Sequence, residues 1–219
     1  MHSQAIEDYL KAIYELQYAE GQVGTTLLAE RLGVTPASVT GMIKKLAEVK
    51  LVVHERYQGV RLTKAGQKVA LEVVRHHRLV ERFLAEALGV PWDRVHEEAH
   101  KIEHVISDDI EERLDAMLGH PTTDPHGSPI PRSDGTIDES ASTRLAELQA
   151  GQSAVVAEVS DHDSALLRYL GELGLYPQSE VAVMAIAPLD GLMTVRVGNK
   201  QHALSHAVAN EVLVAGVRG

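Results

Sequence analysis

Between Gly119 and Gly135 the chain reads GHPTTDPHGSPIPRSDG, a run with too much proline and glycine for a helix or a central strand to pass through it. It separates two stretches of different texture. Before it, apolar residues recur at helical spacing. Beyond residue 150 come short β-rich runs, SAVVAEV, EVAVMAI, LMTVRV and EVLVAGV, parted by glycine turns, with one helical stretch near 164–173. A chain written this way is mostly α with a small β module, here a barrel-like one. At 219 residues and 44% hydrophobic content there is material for a sizeable core, in one large domain or two modest ones.

The helical part divides further. Ile6, Leu10, Ile13 and Leu16 predict a helix over 4–19, ended by Gly21 and Gly24. Thr25 and Thr26 are placed to cap a short helix carrying Leu27, Leu28, Ala29 and Leu32, which Gly33 closes. A third helix begins near Pro36 and turns Val39, Met42, Ile43 and Leu46 inward. Two helices joined by a Gly-Val-Thr turn form a helix-turn-helix. The following LVVHERYQGVRLT predicts a hairpin, or wing, around Gln58-Gly59. A long helix then starts at Leu62-Thr63-x-x-Gly66 and runs to about Leu88, and a further helix is expected over roughly 92–118.

Charge is distributed unevenly over these segments. Residues 1–70 hold nine Lys or Arg against seven Asp or Glu, whereas residues 71–219 hold twelve against twenty-four, so the net −10 belongs to the second part. Polyanion binding therefore falls to the first third. The third helix opens with Thr35, Pro36, Ala37, Ser38 and Thr40, small or hydroxyl-bearing residues that allow close approach to base edges. Lys44 and Lys45 come later in the same helix, and Arg56 and Arg61 lie in the wing, all suited to phosphates. This combination points to DNA.

The acidic remainder carries seven of the 12 histidines between positions 76 and 126. Five of the residues in HEEAHKIEH (96–104) match H-E-x-x-H, the zinc peptidase pattern in which His96 and His100 would hold metal and Glu97 would polarise water. A third ligand and a substrate cleft would have to come from elsewhere. On a continuous helix Val95, Ala99, Ile102, Ile106 and Ile110 form an apolar stripe, with His96, His100, Glu103 and His104 bordering the core along one flank. In RHHRLVERFL, His77 and Glu81 are four apart and share a helix face, so two antiparallel helices can build metal sites between them. Asp8 is a further source of an oxygen ligand, or else a solvated carboxylate beside Glu7.

The chain has no cysteine, which excludes disulfides, thiolate zinc sites and cysteine nucleophiles. The N-terminus lacks the basic flank and apolar run of a secretory signal, and no stretch reaches membrane-spanning length, so a soluble cytoplasmic protein is expected.

IEDYLKAIYEL, the winged helix, RHHRLVERFL, HEEAHKIEHVISDDIEERL, the DPHGSPIP loop and the C-terminal β runs follow one another in a known order. In this the chain resembles the metal-dependent repressors that include the diphtheria toxin repressor, the iron-dependent regulators and the manganese transport regulators. The most specific part is H-E-E-A-x-x-x-E-H-V-x-S-D followed by the PHG-x-x-IP loop. The resemblance implies a winged helix-turn-helix over 1–66, a helical dimerisation and metal domain over 67–138, and an SH3-like, FeoA-like module over 139–219. It further implies a homodimer that binds double-stranded operator DNA with Mn(II) or Fe(II) as co-repressor, without a small organic ligand, and no enzyme.

Carried over by residue, a primary metal site would use Asp8, His100, Glu103 and His104. An ancillary site would use His77, Glu81 and His96, or Glu81 with Asp124, His126 and an acid from the C-terminal module, Asp161 or Asp163, with His162 between them. Three positions depart from the family pattern. His100 stands where relatives carry cysteine or glutamate, Lys11 stands where the manganese regulators carry a metal-bridging glutamate, and Asp124 stands where many members with the PHG loop carry cysteine. The alternatives are a zinc metallopeptidase and a metal-independent winged-helix protein.

Overall fold

In the computed structural model, which describes residues 3–20, 23–55, 59–138, 141–189 and 191–219, the first 62 residues fold as the amphipathic pattern demands. Helices α1 (Gln4–Glu20), α2 (Thr25–Leu32) and α3 (Pro36–Glu48) precede strands β1 (Val52–Glu55) and β2 (Gly59–Leu62), which pair antiparallel with Val52 opposite Leu62. Leu10, Ile13, Leu28, Val39, Ile43, Leu46, Val52 and Val60 share one core. Gly33 closes α2 at φ 63, a left-handed conformation that costs glycine little. Capping differs from expectation at the start of α2, where Gly24 is the N-cap and no side chain bonds the helix end. Thr35 does cap α3, accepting from the Ser38 N–H, with Pro36 at the first helical position.

α4 (Lys64–Leu88) follows, and Gly89 leaves it at φ 64. The single helix expected over 92–118 is instead three pieces: α5 (Val95–His100), a 3-10 turn (Glu103–Val105) and α6 (Asp108–Met117). The cause lies in the backbone. Lys101 and Ile102 bond back to Glu98 and Ala99, tightening the last turn, and Ser107 then takes an extended conformation ahead of Asp108, Asp109 and Glu111. An N-cap serine followed by acids is a restart signal favoured by the helix dipole. The break also overturns the continuous apolar stripe: Glu103 is fully buried, whereas Ile110 is exposed.

The C-terminal module is a six-stranded antiparallel sheet in the order β3-β8-β4-β5-β6-β7: β3 (Thr143–Arg144), β4 (Ser153–Val159), β5 (Glu180–Ile186), β6 (Met193–Val197), β7 (Lys200–Leu204) and β8 (Val212–Arg218). α7 (Ser164–Leu173) and α8 (His206–Asn210) contribute Leu167, Leu170 and Ala209 to its core. Val156, Leu167, Leu170, Val181, Val195 and Val214 lie at its centre. The short, polar β7 has no hydrophobic alternation and was not foreseen. By contacts the chain forms two compact units. One runs to His77 and adds Glu103–Ile106 and Pro131–Thr136; the other takes Arg78–Ile102, Ser107–Ile130 and Ile137–Gly219. No helix among the described residues is long and apolar enough to cross a membrane.

Candidate metal centres and nucleic-acid interface

In the first unit, α1 and the 3-10 turn at 103–105 bring together Asp8, Glu103 and His104, whose ligand atoms lie within 4.8 Å of one another. His104 Nε2 is 2.8 Å from Asp8 Oδ1 and 3.2 Å from Glu103 Oε1. On the other side of the ring, Nδ1 is 2.7 Å from Glu7 Oε2 and donates to it. A carboxylate behind an imidazole fixes the tautomer and makes the far nitrogen more basic. Burial alone would lower the His104 pKa, but hydrogen bonds with Glu103 and Glu7 and the charges of Glu103 and Asp8 push it up to about 9. A proton on Nε2 thus stands where a cation between imidazole and carboxylates would stand.

Glu103 divides its two oxygens. While Oε1 faces His104, Oε2 accepts from the buried Lys11 ammonium at 2.8 Å and from His77 Nδ1. His76 Nδ1 donates to the Glu103 carbonyl at 3.2 Å. These contacts explain how a fully buried carboxylate is tolerated. Sequence reasoning missed Glu7, set aside as a neighbour of Asp8, and noted Lys11 only as a departure. Their spacing, four residues apart on one helix face beside Asp8, was the available signal. His100 ends α5 and is exposed, and among the described residues no group of ligand type contains both His96 and His100. Glu97 is exposed. The geometry of a zinc peptidase is therefore not built from HEEAH.

The second unit holds a denser cluster. Glu81 from α4, His96 from α5, Asp124 and His126 from the proline-rich loop and Asp161 after β4 converge, in overlapping groups whose atoms lie within 4.8 Å of one another. His96 Nδ1 is 3.2 Å from both Glu81 Oε1 and Asp161 Oδ2. Although burial would lower its pKa, hydrogen bonds and charge from Asp161 and Glu81 push it up to about 10. Asp161 is held below the usual carboxylate range against its burial by hydrogen bonds from His162 and His96. Asp124 is pushed well up, by burial and then by the nearby charge of Glu81, with Arg78 opposing at 3.7 Å.

Three buried or half-buried carboxylates brought this close together suit a cation. Two ligand atoms are also open to one. Asp124 Oδ2 and His126 Nδ1, both shielded from solvent, make no hydrogen bond. The other Asp124 oxygen accepts from the N–H groups of His126 and Ser128, at 2.8 and 3.0 Å, and so fixes the loop's turn. That loop is fastened to β4: Val159 N–H donates to the His126 carbonyl, and Ser128 Oγ donates to Glu158. Gly127 (φ 93) presses so close that a Cβ would lie 2.0 Å from the Ala157 carbonyl oxygen.

Of the two acids left open by sequence, the structure brings Asp161 to the cluster and employs Asp163 as the N-cap of α7, where it accepts from Ala165 and Leu166. His77 is placed on Glu103. Both clusters are carboxylates and imidazoles without sulfur, a donor set suited to Mn(II) or Fe(II).

On the outer side of α3, Thr35, Pro36, Ala37, Ser38, Thr40, Gly41, Lys44 and Lys45 are all exposed, while Val39, Ile43 and Leu46 face the core. Arg61 is exposed on β2, and Arg56 lies outside the described residues. Thr40 Oγ1 donates to the Pro36 carbonyl, and Gly41, not foreseen, has nothing within 4 Å of where a Cβ would stand. An exposed helix face that starts with small residues and ends with lysines is built for a groove lined by phosphates.

Comparison with known proteins agrees along the chain. Residues 1–60 match the iron dependent repressor N-terminal DNA binding domain, 63–132 the iron dependent repressor metal binding and dimerisation domain, and 143–216 the FeoA domain. The iron-dependent repressor IdeR of Mycobacterium tuberculosis is 34% identical over 223 residues, covering 96% of each chain. A manganese-dependent transcriptional repressor solved in complex with manganese superposes with a TM-score of 0.91 at 38% identity, over 95% of this chain and 98% of that one. The manganese regulator SloR gives 0.81 at 33% identity, over 96% and 97%.

Proposed function

Because the chain belongs to the iron-dependent repressor family, we propose that it is a metal-dependent, DNA-binding transcriptional regulator, acting as a homodimer to repress metal-uptake genes with Mn(II) or Fe(II) as co-repressor. One observation carries this reading. α1 supplies Asp8 and Glu7 to the first cluster while its Leu10 and Ile13 lie in the core of the winged helix. A cation held by Asp8, Glu103 and His104 therefore constrains a helix on which the DNA-reading unit is built. His100, three residues before Glu103, is the proposed fourth ligand. The metal acts by binding the DNA-competent conformer more tightly than its alternatives.

The proposed reading face is Thr35, Pro36, Ala37, Ser38, Thr40, Lys44 and Lys45, with Arg56 and Arg61 from the wing on backbone phosphates. Glu81, His96, Asp124, His126 and Asp161, with His77 four residues before Glu81 on α4, form the proposed second centre. The proposed domains are 1–66, 67–138 and 139–219. The reading implies a cytoplasmic protein whose work requires no catalysis. Within the oxygen and nitrogen donor set, the carboxylate at position 8 favours manganese.

The test is operator binding by chelator-treated protein with single divalent metals restored at controlled free concentration. Mn(II) is expected to restore specific binding at least as well as anaerobic Fe(II), and Asp8→Met to shift the preference toward iron. Specific binding without any metal would overturn the co-repressor role, and activation by Fe(II) alone would overturn the manganese preference.

A further inference from the structure

Trp92 is the chain's one tryptophan, and it touches both the second cluster and the core of the C-terminal module. Its carbonyl oxygen is 2.8 Å from His126 Nε2. A carbonyl only accepts, so Nε2 carries the hydrogen. The neutral ring then presents its lone pair at Nδ1, the buried atom that makes no hydrogen bond and lies 3.8 Å from Glu81 Oε1. With the opposite tautomer, two acceptors would meet at Trp92 and a hydrogen would occupy the ligand position.

The indole of the same residue is anchored elsewhere. It packs at a tilt on Tyr176, with ring centroids 4.6 Å apart, and lies 5.8 Å from the His126 ring. Gly171 of α7 admits this arrangement, because a Cβ there would come within 2.8 Å of Tyr176 Oη and 3.3 Å of Trp92 Nε1. One residue thus has its carbonyl on a candidate ligand and its ring between an aromatic and a glycine of the C-terminal module.

We propose that Trp92 is a positioning residue for the second metal centre: it holds His126 in the tautomer that offers Nδ1 to a divalent cation, and it makes that tautomer depend on the packing of α7 through Gly171 and Tyr176. This rests on the reading of Glu81, Asp124, His126 and Asp161 as a metal centre. Outer contacts that orient a ligand typically change metal affinity by about 10–100-fold when lost. Affinity at the second centre therefore reports whether the C-terminal module is packed.

The experiment is Mn(II) equilibrium dialysis on the full chain in a Glu103→Ala background, which silences the first centre, with tryptophan emission followed in parallel. Mn(II) is a paramagnetic quencher, and Trp92 is the chain's sole indole. Binding that disappears with His126→Ala is expected to quench that emission. Gly171→Ala is expected to weaken this binding by about tenfold or more. Adding Tyr176→Phe removes the hydroxyl that the new methyl would meet first, and is expected to restore most of the affinity, which a general loss of folding would not allow. Wild-type affinity in Gly171→Ala, or no recovery in the double variant, would overturn the role of Trp92. Absence of any His126-dependent Mn(II) in the Gly171 parent would instead overturn the metal reading beneath it.

Discussion

The two clusters differ in what balances their carboxylates. In the first, Glu103 is met by Lys11 and His77 on one oxygen and by His104 on the other, with Asp8 and Glu7 on the same imidazole, so the Lys11 ammonium and a proton on His104 offset most of the carboxylate charge. In the second, Asp161 is met by His96 and His162 and Glu81 by His96, while Arg78 stands 3.7 Å from the fully buried Asp124, which is driven toward its protonated form. A balanced site exchanges one cation for another at modest cost and suits a sensor. An overcharged site holds a cation because the alternative is self-repulsion, and suits a clasp. The elements they join agree with this: α1 of the winged helix for the first, the proline-rich loop and β4 of the C-terminal module for the second.

The sharpest way to break this contrast is to remove one centre. Glu103→Ala is expected to abolish metal-dependent operator binding in gel-shift or anisotropy assays while leaving Mn(II) at the second centre. Glu97→Ala, on the exposed side of α5, should bind operator as the wild type does. Retained metal response in Glu103→Ala would dissolve the distinction between sensor and clasp.

Gly127→Ala attacks the other side. The substitution combines a left-handed φ with a methyl 2.0 Å from a carbonyl oxygen, so the loop must leave β4. The expected cost is about 2 kcal/mol in chemical denaturation, together with loss of one Mn(II) per chain. Unchanged stoichiometry would show that the loop carries no ligand.

Acidity distinguishes the two centres more finely. His104 is raised from 6.5 to about 9 and His96 from 6.5 to about 10, in each case because carboxylates outweigh burial. For a raised pKa, the stabilisation is fully present below the unfolded value near 6.5 and is lost as pH climbs through the folded value. The thermal midpoint of chelator-treated protein should therefore fall between pH 6.5 and 10, earlier for the His104 contribution. Mn(II) affinity should rise over the same range, since each cation displaces a proton. His104→Gln should remove the portion of the fall that runs from pH 6.5 and ends near pH 9, and an unchanged profile would count against the proton as stand-in. The smallest effect is expected at Lys44→Ala: weaker binding to all DNA sequences, with the salt slope reduced by about 0.9.

Much of this was legible in the chain because apolar spacing and glycine punctuation state it directly. Leu10, Ile13, Val39, Ile43 and Leu46 were placed inward and are buried, and the four longer β runs became strands. What could not be read was anything set by a contact distant in sequence. The break after His100 was hidden because HEEAHKIEHV keeps helical spacing through it, and Glu103 was put at the rim of the core because nothing local announces Lys11, 92 residues away. Asp161 and Asp163 were equivalent on paper. Only the start of α7 separates them, since an N-cap uses up the carboxylate of one. Trp92 carried no signal beyond its rarity, because the group that matters is its backbone carbonyl.

The absence of sulfur from both clusters bears on durability. A thiolate ligand can be driven to sulfenic and then sulfinic acid by peroxide, and a thioether to its sulfoxide, and either change silences a centre without any change in metal supply. Asp8, Glu103 and His104, like Glu81, Asp124, His126 and Asp161, offer peroxide no such atom. With these residues as ligands, a regulator has no ligand sulfur whose oxidation could silence a centre and so pass for metal starvation.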